Sequence, residues 1–139
     1  MLWRAFTLKR KSLMFLSHIV VGSNDLEKAK KFYDALFSVM GAEFCPQDNP
    51  NRVVYQKDGQ IFIITRPING EAATAANGGT IGLALPSAEA VRSWHKAGVE
   101  AGGQSIENPP GERTVMGMTL YLAYLRDLDG NKLCAFHKM

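Results

Sequence analysis

Apolar and polar positions along this chain fall into two alternating periods. Met14 to Val21, interrupted by Ser17 and His18, reads as the first core strand. From Leu26 onward, apolar side chains recur at Ala29, Tyr33, Leu36, Phe37 and Met40, the spacing of a helix that buries one face. Asn24, with Glu27 three residues on, is the expected N-cap, and Gly41 the expected stop. The period then shortens to that of strands: Ala42 to Cys45, Arg52 to Tyr55 and Ile61 to Thr65, the last two joined by a turn at Lys57-Asp58-Gly59. β-Branched residues concentrate in these pieces, as strands prefer.

The same order then returns. At an offset of 62 residues, His18-Ile19-Val20-Val21 falls on Thr80-Ile81-Gly82-Leu83, Phe32-Tyr33 on Trp94-His95, and Gly41 on Gly103. Ser87 is placed to cap a second helix with Ala88, Val91 and Trp94 on its apolar face, ending near Gly102-Gly103. A weak strand near Gln104 to Ile106 follows, then Thr119 to Leu125, a turn at Asp127-Leu128-Asp129-Gly130, and Lys132 to Phe136. The two Asp-Gly pairs align at an offset of 71, which makes Ile63 the counterpart of Cys134. Asn108 to Arg113 reads as a plain surface connection. Pro67 to Gly79, rich in Ala, Asn and Gly, reads as a linker. The pattern predicts an α+β domain over 14–139, built from two βαβββ modules, 14–66 and 80–138, joined by linker 67–79.

Composition agrees with one such domain: 139 residues, 46% hydrophobic and 21% charged, are enough for a single core. The net charge of +3 resides at the start of the chain. Without Arg4, Lys9, Arg10 and Lys11, the 16 basic residues fall to 12 against 13 acidic, a net of −1, so no nucleic-acid partner is expected. Residues 1–13 read as a basic extension with Met14 as candidate true start, or else as a targeting or surface-binding segment. No run approaches the roughly 20 apolar residues of a membrane span. Cys45 and Cys134 fit neither a disulfide framework nor a Cys-x-x-Cys metal spacing, which points to a reducing, cytoplasmic setting.

Two stretches carry a family resemblance. His18-Ile19-Val20-Val21 followed by Asp25-Leu26-Glu27-Lys28-Ala29-Lys30-Lys31-Phe32-Tyr33, and Tyr124-Leu125-Arg126-Asp127-Leu128-Asp129-Gly130-Asn131-Lys132-Leu133, resemble the two ends of a glyoxalase/bleomycin-resistance/dioxygenase (vicinal oxygen chelate) domain. The resemblance covers about residues 14 to 138. It implies that the modules form a curved, cup-like mixed sheet that closes around a small-molecule ligand, and that a homodimer forms.

In the metal enzymes of that family, the ligands come from the first and last strands of each module. The corresponding positions here are His18, Ile63, Thr80 and Cys134. Only His18 matches; Ile63 stands where some members carry a glutamate, Thr80 where a histidine is usual and Cys134 where a glutamate is usual. A catalytic metal wants about three protein ligands and an open position, so no metal or other cofactor is expected, a divalent ion through His18 being the alternative. His18, Ile63, Thr80, Gly82, Tyr121 and Cys134 are the expected ligand contacts, with no catalytic residue assigned. A His18–Cys134 nucleophilic pair is a further alternative, because both point into the cup. The leading functional expectation is a metal-free binding protein for a small, partly apolar molecule. A glyoxalase-like lyase or dioxygenase-related enzyme is the alternative, and a purely structural role the third class. Bound metal, a filled apolar cup and an empty one would tell them apart.

Overall fold

The computed structural model describes residues 15–139; the basic extension and the candidate start at Met14 lie outside them. Strand β1 (His18–Gly22) leads into helix α1 (Leu26–Met40), followed by β2 (Glu43–Phe44), β3 (Arg52–Lys57) and β4 (Gln60–Thr65). These strands form one sheet in the order β1-β4-β3-β2, with β1 parallel to β4. Asp25, not Asn24, caps α1: its carboxylate accepts from the Lys28 N–H, while the Asn24 side chain is turned outward and pairs with both backbone groups of Ala73 in the linker. Gly41 ends α1 in the left-handed conformation, at φ 73°.

The second module repeats the plan. It comprises β5 (Ile81–Ala84), helix α2 (Ala88–Glu100) capped by Ser87, β6 (Gln104–Ser105), β7 (Gly111–Val115), β8 (Met118–Arg126) and β9 (Lys132–Lys138). The order is β5-β9-β8-β6, with β7 also on β8. The expected surface connection at 108–113 is therefore partly wrong, because Gly111 onward is strand. β6 and β7 lie along one edge of β8, but Ser105 pairs with Leu125 and Gly111 with Leu122, so 106–110 span only Ala123 and Tyr124. The excess is a bulge, with Glu107 in the left-handed region at φ 59°. Pro109 and Pro110 carry no N–H for the ladder, which hid the strand from a pattern reading.

Both helices lie on one face of the sheets and share a single core. Phe32, Tyr33, Leu36 and Phe37 of α1 and Val91 and Trp94 of α2 meet Val21, Tyr55, Ile64, Leu125, Leu133 and Ala135 from the strands. The alternate residues of every strand face the other way. That helix-free face is where the site must be sought.

Candidate ligand-binding site

β1 and β5 are the outer strands of their sheets, and both line a cleft of about 420 Å³. His18 and Ile19 stand on one side, Gly82, Leu83 and Ala84 on the other, with Phe37 and Met40 of α1 also on the wall. The lining is mainly apolar. A side chain added at Gly82 would meet nothing within 4 Å, so this wall is open. The Ser17 hydroxyl engages His18 Nδ1 at 2.8 Å, leaving Nε2 as the ring atom available to a ligand.

The residues expected to contact a ligand do not all share this cleft. His18 and Gly82 line it. Cys134 stands directly beside Gly82 in register, on the same face but buried under its neighbours Leu120 and Leu122. Ile63 pairs with Val20, two residues beyond the Ile61 that pairs with His18, so it lies along the helix-free face outside the cleft. Thr80 is exposed and precedes β5, which starts at Ile81. Tyr121 is a correction: it packs on the helix side, where its hydroxyl accepts from Arg92 of α2 at 3.1 Å. It lies one residue out of phase with the cup-facing Leu120 and Leu122, so it cannot present its ring to that face.

Four residues that pattern reasoning did not single out surround Cys134. Tyr124 pairs with it across the β8/β9 ladder. Lys132 lies over the Tyr124 ring, 5.0 Å from its centroid, and ion-pairs with Glu107 from the bulge. Arg113, cross-strand from Leu120, donates to the carbonyls of Asn108, Pro109 and Gly111 at 3.1, 2.8 and 2.7 Å and so clamps the bulge. Burial pushes the Cys134 thiol up, against a smaller opposing contribution from its hydrogen bond with Tyr124. A neutral thiol is a weak nucleophile, which argues against the His18–Cys134 pair. The signal that could have found this cluster is the bulge, since it alone brings Glu107 over Lys132.

The similarity to solved structures agrees with this geometry. A crystal structure of a glyoxalase/bleomycin resistance protein from Albidiferax ferrireducens T118 is 48% identical, covers 89% of this chain and 99% of its own, and superposes with a TM-score of 0.84. The chain belongs to the glyoxalase/bleomycin resistance family. A glyoxalase/bleomycin resistance protein/dioxygenase family enzyme from Burkholderia phytofirmans PsJN shares the fold at 15% identity, with 88% of this chain and 98% of that one covered and a TM-score of 0.69. Lactoylglutathione lyase from Agrobacterium tumefaciens shares it at 18% identity, 90% and 94% coverage and a TM-score of 0.62. No protein-family model and no curated protein matches the chain.

The family resemblance described above would put metal-ligand positions at His18, Ile63, Thr80 and Cys134. Among the described residues, no three His, Cys, Asp or Glu side chains are grouped so as to hold an ion. Ile63 has no donor atom, Thr80 offers a neutral hydroxyl, and the Cys134 thiol is held protonated by its burial. The donor set does not fit a divalent metal. No helix among the described residues is long and apolar enough to cross a membrane.

Proposed function

We propose that this family member is a metal-independent, cytoplasmic binding protein that takes up a small, partly apolar molecule in the cleft between β1 and β5 and holds it without chemical change. The observation that carries the reading is the cleft between β1 and β5: mainly apolar walls, one imidazole, and open space over Gly82. A concave apolar site with few polar groups is the usual form of a small-molecule site. His18 supplies the polar contact through Nε2. Lys57 and Asp58 at the β3/β4 turn are the charged groups on the lining, and the predominance of apolar wall around them favours sequestration over a lyase or dioxygenase reaction. A second copy of the chain is the expected protein partner.

The test is a native mass spectrum of freshly purified protein beside that of Gly82→Leu. The reading expects a co-purified small molecule in the parent chain, its loss in the variant, and an unchanged melting temperature. Conversion of the bound molecule to a product of different mass would instead favour an enzyme.

A further inference from the structure

We infer that the ligand carries a negatively charged group, and that Arg113 and Lys132 at the bulged end of the second module recognise it. The inference rests on the reading of the β1/β5 cleft as the binding site, extends it from Gly82 across the adjoining Cys134 to the surface of β9 and β8, and adds the ligand's charge. The floor here is apolar: Leu120, Leu122 and Cys134 are buried, with Met118, Tyr124 and Phe136 packed against them. Above that floor the charges do not balance. Lys132 is matched by Glu107, but Arg113 pairs with no carboxylate among the described residues. Its guanidinium is fixed by three backbone carbonyls, which take up hydrogen bonds without cancelling its charge.

A fixed, half-buried, uncompensated cation beside an apolar floor is complementary to an amphipathic anion, with the apolar body on the floor and the head at the rim. The clamp also matters. Arg113 holds the bulge that carries Glu107, and Glu107 in turn holds Lys132, so both cations are positioned before a ligand arrives. Cys134 adds no opposing charge, because burial keeps its thiol protonated. A carboxylate and a phosphate monoester present the same chemistry to this pair.

The test uses two fluorescent probes with one aromatic body, anionic 8-anilinonaphthalene-1-sulfonate and neutral N-phenyl-1-naphthylamine, titrated into the full chain. The sulfonate should bind about ten-fold more tightly than the neutral probe, on the scale of one charge-assisted contact. Arg113→Gln should abolish that preference, read as the ratio of the two affinities, and Arg113→Lys should retain most of it. Because Arg113→Gln removes the clamp, Glu107→Gln supplies a test of opposite sign: one negative charge fewer should tighten the sulfonate by about two- to three-fold. Displacement by decanoate or by decyl phosphate, with decanol as the neutral control, tells a carboxylate head from a phosphate one. Equal affinity for the two probes, insensitive to both substitutions, would overturn the inference and leave the apolar-site reading standing. Binding of neither probe would overturn both.

Discussion

Tyr33 of α1 and Asp127 at the end of β8, 94 residues apart in sequence, share a buried hydrogen bond of 2.6 Å from the phenol to Asp127 Oδ2. The same oxygen accepts from the Asn131 side chain, and Oδ1 from the Asp129 and Asn131 N–H groups. Asn131 also donates to the Gly22 carbonyl at 3.1 Å. One carboxylate thus organises the β8/β9 turn and ties it to both β1 and α1 of the other module. The Asp127 and Asn131 of the Arg-Asp-x-Asp-Gly-Asn-Lys motif thus form a staple between the modules.

Tyr33→Phe keeps the ring packing and removes one donor from a buried carboxylate. It should cost about 1.5–3 kcal/mol, the worth of a hydrogen bond to a charged group, read from urea denaturation. Loss of less than about 0.5 kcal/mol would show the staple to be redundant.

Alkaline stability gives a second readout of this core. Burial first, and then the charge of Asp127, raise the Tyr33 phenol well above its ordinary value; burial and the Asp34 hydrogen bond likewise raise Tyr55. Each phenol keeps its proton in the folded state at a pH where the unfolded chain loses it. Their contribution is therefore fully present below about pH 10 and is lost as pH rises beyond it, by about 1.4 kcal/mol per pH unit for each phenol. Stability measured from pH 10 to 11.5 should fall at least as steeply as two groups require, the raised Cys134 thiol and Tyr124 phenol adding to the loss, and Tyr33→Phe should remove one group's share. A flat profile in the parent chain would contradict the burial of both.

The module repeat was legible in the sequence because its signals are local: a cap, a 3.6-residue period, a left-handed glycine and an Asp-Gly turn. Ser87 and Gly41 stand where those rules put them. The site was less legible, because facing depends on register. The bulge at 106–110 sits beside the very residues that matter, and its effect on pairing is not written in alternation. Tyr121 fell on the wrong face by a single position, and the cluster at Glu107, Arg113 and Lys132 went unseen. Asn24 was misread for a different reason. Two capping residues stand side by side, and the linker's demand for a partner at Ala73 decides which one caps.

Two glycines should respond in opposite ways to substitution. A Cβ on Gly98 of α2 would sit 2.2 Å from Leu125 Cδ1 and 3.1 Å from Leu36 Cδ1, where the two helices meet β8. Gly98→Ala should therefore lose about 1–3 kcal/mol through overpacking, although alanine is ordinarily the better helix former. Gly82→Ala, into open space, should change stability by less than about 1 kcal/mol. Comparable thermal shifts for the two would mean that the helices are not packed this closely.

Leu16 and Val20 point from the first module's helix-free face and are 56% and 47% exposed, and Met116 at the tip of the β7/β8 hairpin is 91% exposed. A second copy is the partner expected to cover such surfaces, at roughly 800 Å² per chain for a stable pair. Light scattering at micromolar concentration should give about twice the 15.3 kDa chain mass, and Leu16→Asp with Val20→Glu should halve it without unfolding the chain. A parent chain that runs as a monomer would count against the dimer.

The final prediction concerns metal. By the family resemblance, Ile63, Thr80 and Cys134 would stand at three of the four ligand positions, and His18 alone cannot replace them. Metal bound to the folded state would add stability through mass action, so chelation would lower the melting temperature of a true metalloprotein. Here, dialysis against EDTA should leave both the melting temperature and the affinity for N-phenyl-1-naphthylamine unchanged. The converse experiment builds the site. Thr80→His together with Cys134→Glu adds an imidazole and a carboxylate at the family's own positions, and with His18 completes three ligands and an open fourth. That double variant should acquire tight binding of Zn or Ni and a melting temperature that rises with added metal, whereas neither single variant should. Elemental analysis finding about one transition metal per chain in the unsubstituted protein would refute the metal-independent reading and favour an enzyme.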